Sequence, residues 1–225
     1  MERIIEIENI IDYHFSNEEL LREAFTHSSK GELNSQGNRL DYERLEFVGD
    51  AMLDAIIGAM LYLKLPSGRE GELSKLRAQI VCEESLDIIG KGLGLNEFIL
   101  VGEGEERASG RNKPSVVSDV VEATIGAIYL DGGFDEAKYF VERVFSTLVE
   151  DAIEGKLFRD YKTKLQELAQ KNNWHIEYRD DEEGPDHDKT FFSHLYINGK
   201  EKGYGIGKNK KAAEQSAAES FLGKA

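Results

Sequence analysis

The 225-residue sequence contains a single cysteine, Cys82. That excludes a disulfide framework and any zinc site built on cysteine thiolates, and it suits a reducing compartment. A small buried side chain is the simplest expectation for Cys82. Long hydrophobic runs are also missing. The longest uninterrupted stretch of apolar residues and glycine, Ala55–Leu63, lies between Asp54 and Lys64. It is far shorter than the roughly 20 residues that a helix needs to cross a bilayer. The opening Met1-Glu2-Arg3-Ile4-Ile5-Glu6 mixes charges into its apolar positions and carries no secretory hydrophobic segment. Membrane, secreted and fibrous classes are set aside, and a soluble cytoplasmic globular protein is expected. With 40% apolar residues, the chain can bury a core as one large domain or two small ones.

Positive charge is scarce. Lys and Arg number 28 against 43 Asp and Glu, a formal net charge of −15. Taken whole, that balance argues against a nucleic-acid partner, because phosphate binding needs clustered cations. The charge is unevenly spread, however. Residues 1–159 hold 17 basic and 31 acidic side chains, whereas residues 160–225 hold 11 and 12. Between Gly199 and Lys211, the lysines at 200, 202, 208, 210 and 211 face Glu201 alone. Such asymmetry points to two jobs on one chain.

The first 150 residues read as successive helices. Asn17–Phe25 has helical spacing behind Ser16, a good N-cap residue. Glu43–Leu63 carries a long apolar stripe, stopped by Pro66-Ser67-Gly68. Glu72–Leu93, Val116–Leu130 and Phe134–Ile153 continue the pattern, while the polar, glycine-bearing Gly102–Pro114 reads as a loop. After a short link at 154–159 the pattern changes. Tyr161–Asn173 is an amphipathic helix, and Trp174–Arg179, Phe191–Ile197 and Lys202–Gly207 alternate as strands do. Tyr204 and Ile206 share one face, and Lys208–Phe221 closes as an alanine-rich helix. An all-α domain over 1–153 and a small α+β domain of order α-β-β-β-α over 160–225 are expected, with two helices covering one face of an antiparallel sheet.

The acids of the first domain sit in unusual places. Glu43, Glu46 and Asp50 fall at i, i+3 and i+7, one stripe of a helix whose other positions are mostly apolar. Asp119 and Glu122 make a second i, i+3 pair inside a β-branched run. Like charges at this spacing repel, and burying them unpaired is costly. Oxygen ligands without cysteine or a histidine pair suit Mg²⁺ or Mn²⁺. Solvated helix faces explain the same spacing, so spacing alone leaves both readings open. Gly49 and Gly126, costly inside helices by about 1 kcal/mol each, suggest a close helix–helix approach that brings the acids together. His27, near a helix end, is expected to cap or to be satisfied in the core.

Glu43-Arg44-Leu45-Glu46-Phe47-Val48-Gly49-Asp50 resembles the signature of the ribonuclease III family. Ser118-Asp119-Val120-Val121-Glu122-Ala123 resembles the family's second acidic motif, Phe25-Thr26-His27-Ser28-Ser29 its first block, and Glu70-Gly71-Glu72-Leu73-Ser74 the segment that supplies a further acid. Tyr42, where the family often has Asn, and Val48, where Leu is common, depart from the pattern without touching a carboxylate. The resemblance implies that Glu46, Asp50, Asp119 and Glu122 hold Mg²⁺, with Mn²⁺ able to substitute, and that Asp50 and Glu122 are catalytic. Glu43 and Glu70 would be secondary, positioning water, a second metal or the substrate strand. Some of the clustered carboxylates should have raised pKa values when metal is absent.

The second domain resembles a double-stranded-RNA-binding domain, through Gly184–Lys189 and the Gly205–Ala218 segment. That resemblance implies that Gln166 and Glu167 touch one minor groove. The hairpin with Gly184, Pro185, Asp186, His187 and Lys189 would enter the next, and Lys208, Lys210 and Lys211 would clamp phosphates between. Such modules read A-form shape over roughly 16 base pairs. Trp174, Phe191, Phe192 and Tyr196 are expected to pack the sheet. The whole implies a homodimeric endonuclease for double-stranded RNA, without a membrane partner, that leaves 5′-phosphate, 3′-hydroxyl and a short 3′ overhang. Ribosomal RNA precursors and structured mRNAs are the implied substrates. The alternative is a non-catalytic duplex-binding protein whose helical domain only dimerises, or one whose acids bind metal purely for stability.

Overall fold

In the computed structural model, which describes residues 2–33, 37–157, 161–185 and 189–223, the chain divides into two units, Met1–Leu157 and Phe158–Ala225. Helices build the first: α1 (Glu2–Ile11), α2 (Glu18–Ala24), α3 (Glu43–Lys64), α4 (Glu70–Ile80), α5 (Glu83–Gly92), α6 (Glu103–Arg107), α7 (Pro114–Gly132) and α8 (Phe134–Ile153). At its centre lies α7. Its residues are apolar nearly all round, and Val117, Val121, Ile125 and Ile128 are all fully buried, as expected of a helix enclosed on every side. Pro114 opens it at a position where a missing N–H costs nothing.

Helix α3 lies against α7, and two glycines set their separation. A Cβ built on Gly49 would fall 1.7 Å from the Glu122 carbonyl oxygen, and one on Gly126 would fall 2.2 Å from that of Leu45. The two backbones therefore touch. The expected close approach is present, and it explains why both helices tolerate an interior glycine.

Several local expectations need correction. The segment 72–93 is two helices, because the Gln79 carbonyl accepts from the Ser85 hydroxyl (2.8 Å) and the Cys82 thiol (3.2 Å) instead of continuing the helical ladder. Cys82 is consequently half-exposed at the break, not buried. Asn17, rather than Ser16, caps α2, its side chain accepting from the Glu19 N–H at 3.1 Å. The Ser16 and Asn17 N–H groups instead donate to the Asp131 carboxylate (2.8 and 2.9 Å). The 102–114 segment contains α6 and a 3₁₀ turn at Gly110–Asn112, held by ion pairs of Arg111 with Glu106 and of Lys113 with Glu105. Helix α1, for which no element was expected, buries Ile7 and Ile11.

The second unit runs α9 (Tyr161–Asn172), β1 (Ile176–Glu183), β2 (Thr190–Ile197), β3 (Lys200–Gly207) and α10 (Lys210–Leu222). Its strands form one antiparallel sheet in the order β1-β2-β3. β1 extends past Arg179 through the acidic run to Glu183, since that backbone pairs with β2 as far as Thr190. Ser193, Leu195 and Ile197 alternate inward. β3 presents Gly203 and Gly205 to α10; a Cβ on Gly205 would lie 2.2 Å from the Ala217 nitrogen. That flush contact explains why α10 is alanine-rich, with Ala213, Ala217 and Ala218 fully buried. Tyr204 and Ile206 share the exposed face. Trp174 packs edge-on to Phe221 as expected, whereas Phe192 stacks on Tyr204 and Tyr196 lies beneath Arg179, on the outer face. Helix α10 starts later than expected: Asn209 caps it by accepting from the Ala212 N–H at 2.8 Å, so Lys208 precedes the helix.

Candidate metal centre and duplex-binding surface

Glu46 lies one turn into α3; Asp119 and Glu122 lie one turn apart on α7. The Gly49–Gly126 crossing brings them together. One carboxylate oxygen from each of Glu46, Asp119 and Glu122 lies within 4.8 Å of the other two. All three are half-buried. Asp50, a turn further along α3, is exposed and stands outside this tight group, although it is the first carboxylate after burial itself to act on Glu122. Glu43 is exposed on the first turn of α3. Glu70 begins α4, exposed, and accepts from the Ser74 hydroxyl at 2.9 Å.

Burial and mutual repulsion disfavour ionisation here. Glu122 is pushed up to about 8, first by desolvation and then by Asp50, Glu46 and Asp119. Glu46 is raised by burial and by Asp119, Glu43 and Asp50. Asp119 is raised by burial, against the opposing effect of a hydrogen bond from Tyr42. Among the described residues no lysine or arginine neutralises any of the three. The His27 charge acts on Asp119 in the opposite direction to burial, but three converging carboxylates with no lysine or arginine beside them among the described residues fit a hard divalent ion with oxygen ligands.

Two residues behind these acids were given no part in the metal site by the sequence. Tyr42 is buried and donates its hydroxyl to Asp119 Oδ2 at 3.2 Å; its position immediately before Glu43 is the signal that could have found it. His27 caps the 3₁₀ turn Ser28–Lys30, Nδ1 accepting from the Ser29 N–H at 3.0 Å. The capping expectation for His27 is met. Its ring also stands edge-on to Tyr42, centroids 5.7 Å apart.

In the second unit Gln166 and Glu167 are exposed on α9. Gly184, at φ +107°, and Pro185 follow β1 and are exposed. Asp186 and His187 lie outside the described residues. Lys189 donates to Glu182 at 2.8 Å. Lys208, Lys210 and Lys211 are exposed around the start of α10, Lys210 forming an ion pair with Asp180 at 2.8 Å. Lys162, on the expected polar side of α9, turns toward Glu214 (2.6 Å) and the Tyr178 ring. Backbone N–H groups at a helix start, flanked by lysines, have the chemistry that phosphates favour.

Comparison with known proteins agrees with both units. The family described as "Ribonuclease-III-like" matches residues 17–148, and "Double-stranded RNA binding motif" matches residues 161–224. The chain is 45% identical over 210 residues to Ribonuclease 3 of Desulforamulus reducens, covering 92% of this chain and 85% of that protein. It is 42% identical over 221 residues to Ribonuclease 3 of Listeria monocytogenes, covering 97% and 96%. The nuclease domain of ribonuclease III from Campylobacter jejuni superposes with a TM-score of 0.59 at 42% identity, covering 65% of this chain and 96% of that one. A second structure of that C. jejuni domain, with a TM-score of 0.56 at 42% identity over 63% of this chain and 97% of its own, concerns flexibility in a region involved in its dimer formation. Two matched regions in the same order as the two folded units, and relatives aligned over nearly the whole length, place the chain in the ribonuclease III family as a ribonuclease III type endoribonuclease with a double-stranded-RNA-binding motif.

Proposed function

We propose that the chain is an Mg²⁺-dependent endonuclease of double-stranded RNA, with Mn²⁺ able to substitute, acting as a cytoplasmic homodimer through its helical unit. The observation that carries this reading is the convergence of Glu46, Asp119 and Glu122 from two helices, with no lysine or arginine beside them among the described residues. Glu46, Asp119 and Glu122 would hold a divalent ion, which would supply the charge to polarise a scissile phosphate and acidify an attacking water.

The chain's own residues do the rest. Glu122, which favours its protonated form without a cation, would have to give up its proton to hold one, so ion binding should depend on pH. Asp50 completes the set from the next turn of α3, and with Glu122 it is the catalytic pair. Glu43 and Glu70 orient water, a second ion or the strand being cut. Gln166, Glu167, the 184–189 turn and the lysines at 208, 210 and 211 hold the A-form duplex, offsetting the repulsion between phosphates and an acidic helical unit. Hydrolysis leaves 5′-phosphate, 3′-hydroxyl and a short 3′ overhang on precursors of ribosomal RNA and on structured transcripts. Apolar side chains exposed on α3, Phe47, Tyr62 and Leu63, support self-association of the helical unit.

The test is a labelled 30–40 base-pair RNA duplex, incubated with Mg²⁺ or EDTA, with Glu122→Gln in parallel. Staggered cutting that needs Mg²⁺ and is lost in the variant is the expected result. Tight binding without cutting in any divalent ion would overturn the reading in favour of a duplex-binding protein.

A further inference from the structure

We propose that Tyr42 is a positioning residue for the metal centre, orienting Asp119, and that the Phe25–Ser29 block serves the site by holding Tyr42. This rests on the metal-centre reading above, and its test is chosen to fail separately.

Tyr42 occupies the capping position of α3, yet its side chain makes no capping hydrogen bond. Its backbone is already helical (φ −73°, ψ −13°), unlike the extended backbone of a residue that caps through its side chain. The tyrosine instead spans to α7 and donates to Asp119 Oδ2 across 77 positions of sequence. Its own carbonyl accepts from the Glu46 N–H at 2.9 Å. One residue thus contacts two of the three converging acids, one through its side chain and one through its backbone.

The residue is in turn held firmly. The Tyr42 N–H donates to the Thr26 carbonyl at 3.0 Å. Thr26 is fully buried, and its hydroxyl donates to the Arg22 carbonyl at 2.7 Å. His27 lies edge-on to the Tyr42 ring, and its backbone N–H donates to the Leu100 carbonyl at 2.9 Å. The 25–29 block therefore holds Tyr42 in place, and the His27 charge acts on Asp119 as well.

An aspartate's terminal torsion is broad. A donor fixed on Oδ2 restricts rotation of the carboxylate plane. An arginine or lysine could make the same bond, but it would neutralise the charge that attracts a cation. A phenol orients the carboxylate without competing with the ion for its charge. Partners of this kind set metal affinity on the order of 10- to 100-fold.

Tyr42→Phe keeps the ring and its packing and removes only the donor. Mn²⁺ alone is titrated, without RNA, and the free ion is read by electron paramagnetic resonance. The melting temperature in EDTA and duplex affinity in EDTA are measured alongside. The expected result is Mn²⁺ affinity lowered on the order of 10- to 100-fold, with duplex affinity and EDTA melting close to wild type and the Mg²⁺ requirement for cleavage shifted upward in parallel. Unchanged Mn²⁺ affinity of the folded variant, with or without a lower melting temperature, gives the hydroxyl a purely structural role and overturns the proposal. A wild-type protein that binds no divalent ion would instead overturn the metal-centre reading itself.

Discussion

Gly49 and Gly126 meet where α3 crosses α7, each so close to the opposite backbone that a methyl group fits at neither. This contact, more than the acids' own spacing, makes three carboxylates from two helices into one group. Gly49→Ala must push α3 away from the Glu122 carbonyl. A loss of more than about 3 kcal/mol is expected, beyond the usual range for overpacking, measured by urea unfolding in EDTA. Gly71→Ala, on α4 with open space around it, is the control and should leave stability unchanged or slightly raised. Equal behaviour of the two variants would contradict the packing account.

The carboxylate cluster gives a pH dependence with a definite sign. Glu122 is raised from 4.5 to about 8, so the folded state prefers it protonated. The stability associated with that proton is fully present below about pH 4.5 and is lost as pH rises through about 8. In EDTA, wild-type stability should fall across this window relative to Glu122→Gln. The difference has a slope below about 1.4 kcal/mol per pH unit, since partial exposure weakens it. Mg²⁺ should restore wild type most at the alkaline end. Parallel curves for the two proteins would refute the coupling.

Duplex affinity should depend steeply on salt. Replacing Lys208, Lys210 and Lys211 by alanine should weaken binding and lower the slope of log K against log salt by up to about 0.9 per lost phosphate contact. Because Lys210 already forms an ion pair with Asp180, its single substitution should cost less than that of Lys211. Mn²⁺ affinity should be unaffected by all of these. A triple variant with wild-type affinity for the duplex would sink the division of labour between the two units.

Phe47 is 79% exposed although it lies between Glu46 and Asp50 on α3. If the helical units pair through this helix, Phe47→Asp should shift the protein from dimer to monomer in sedimentation equilibrium and leave its EDTA melting curve nearly unchanged. A variant that still sediments as a dimer would place the interface elsewhere.

Much of this protein was legible without coordinates. Helical spacing marked α3, α7, α8 and α9, and aromatic alternation marked the three strands, because burial of one face constrains residue type at a fixed period. The acids of α3 and α7 stood out because charge inside an apolar run is costly. Break points were less visible. Residues 72–93 keep helical spacing through the interruption, and only the side-chain donors of Cys82 and Ser85 to Gln79 show why the chain turns there. The acidic end of β1 is strand only because β2 supplies its partners.

The sequence by itself determined which residue types lie on which helix face and strand, and so the two folds and the stock of carboxylates and lysines. Tertiary structure alone decided which acids converge. Glu46, Asp119 and Glu122 form the tight group while Asp50 stays exposed, and Tyr42 becomes a partner of Asp119 across 77 positions. Periodicity records that a face is buried, not what it is buried against. That choice follows from backbone contact at two glycines, a property of the pair of helices and of neither one alone.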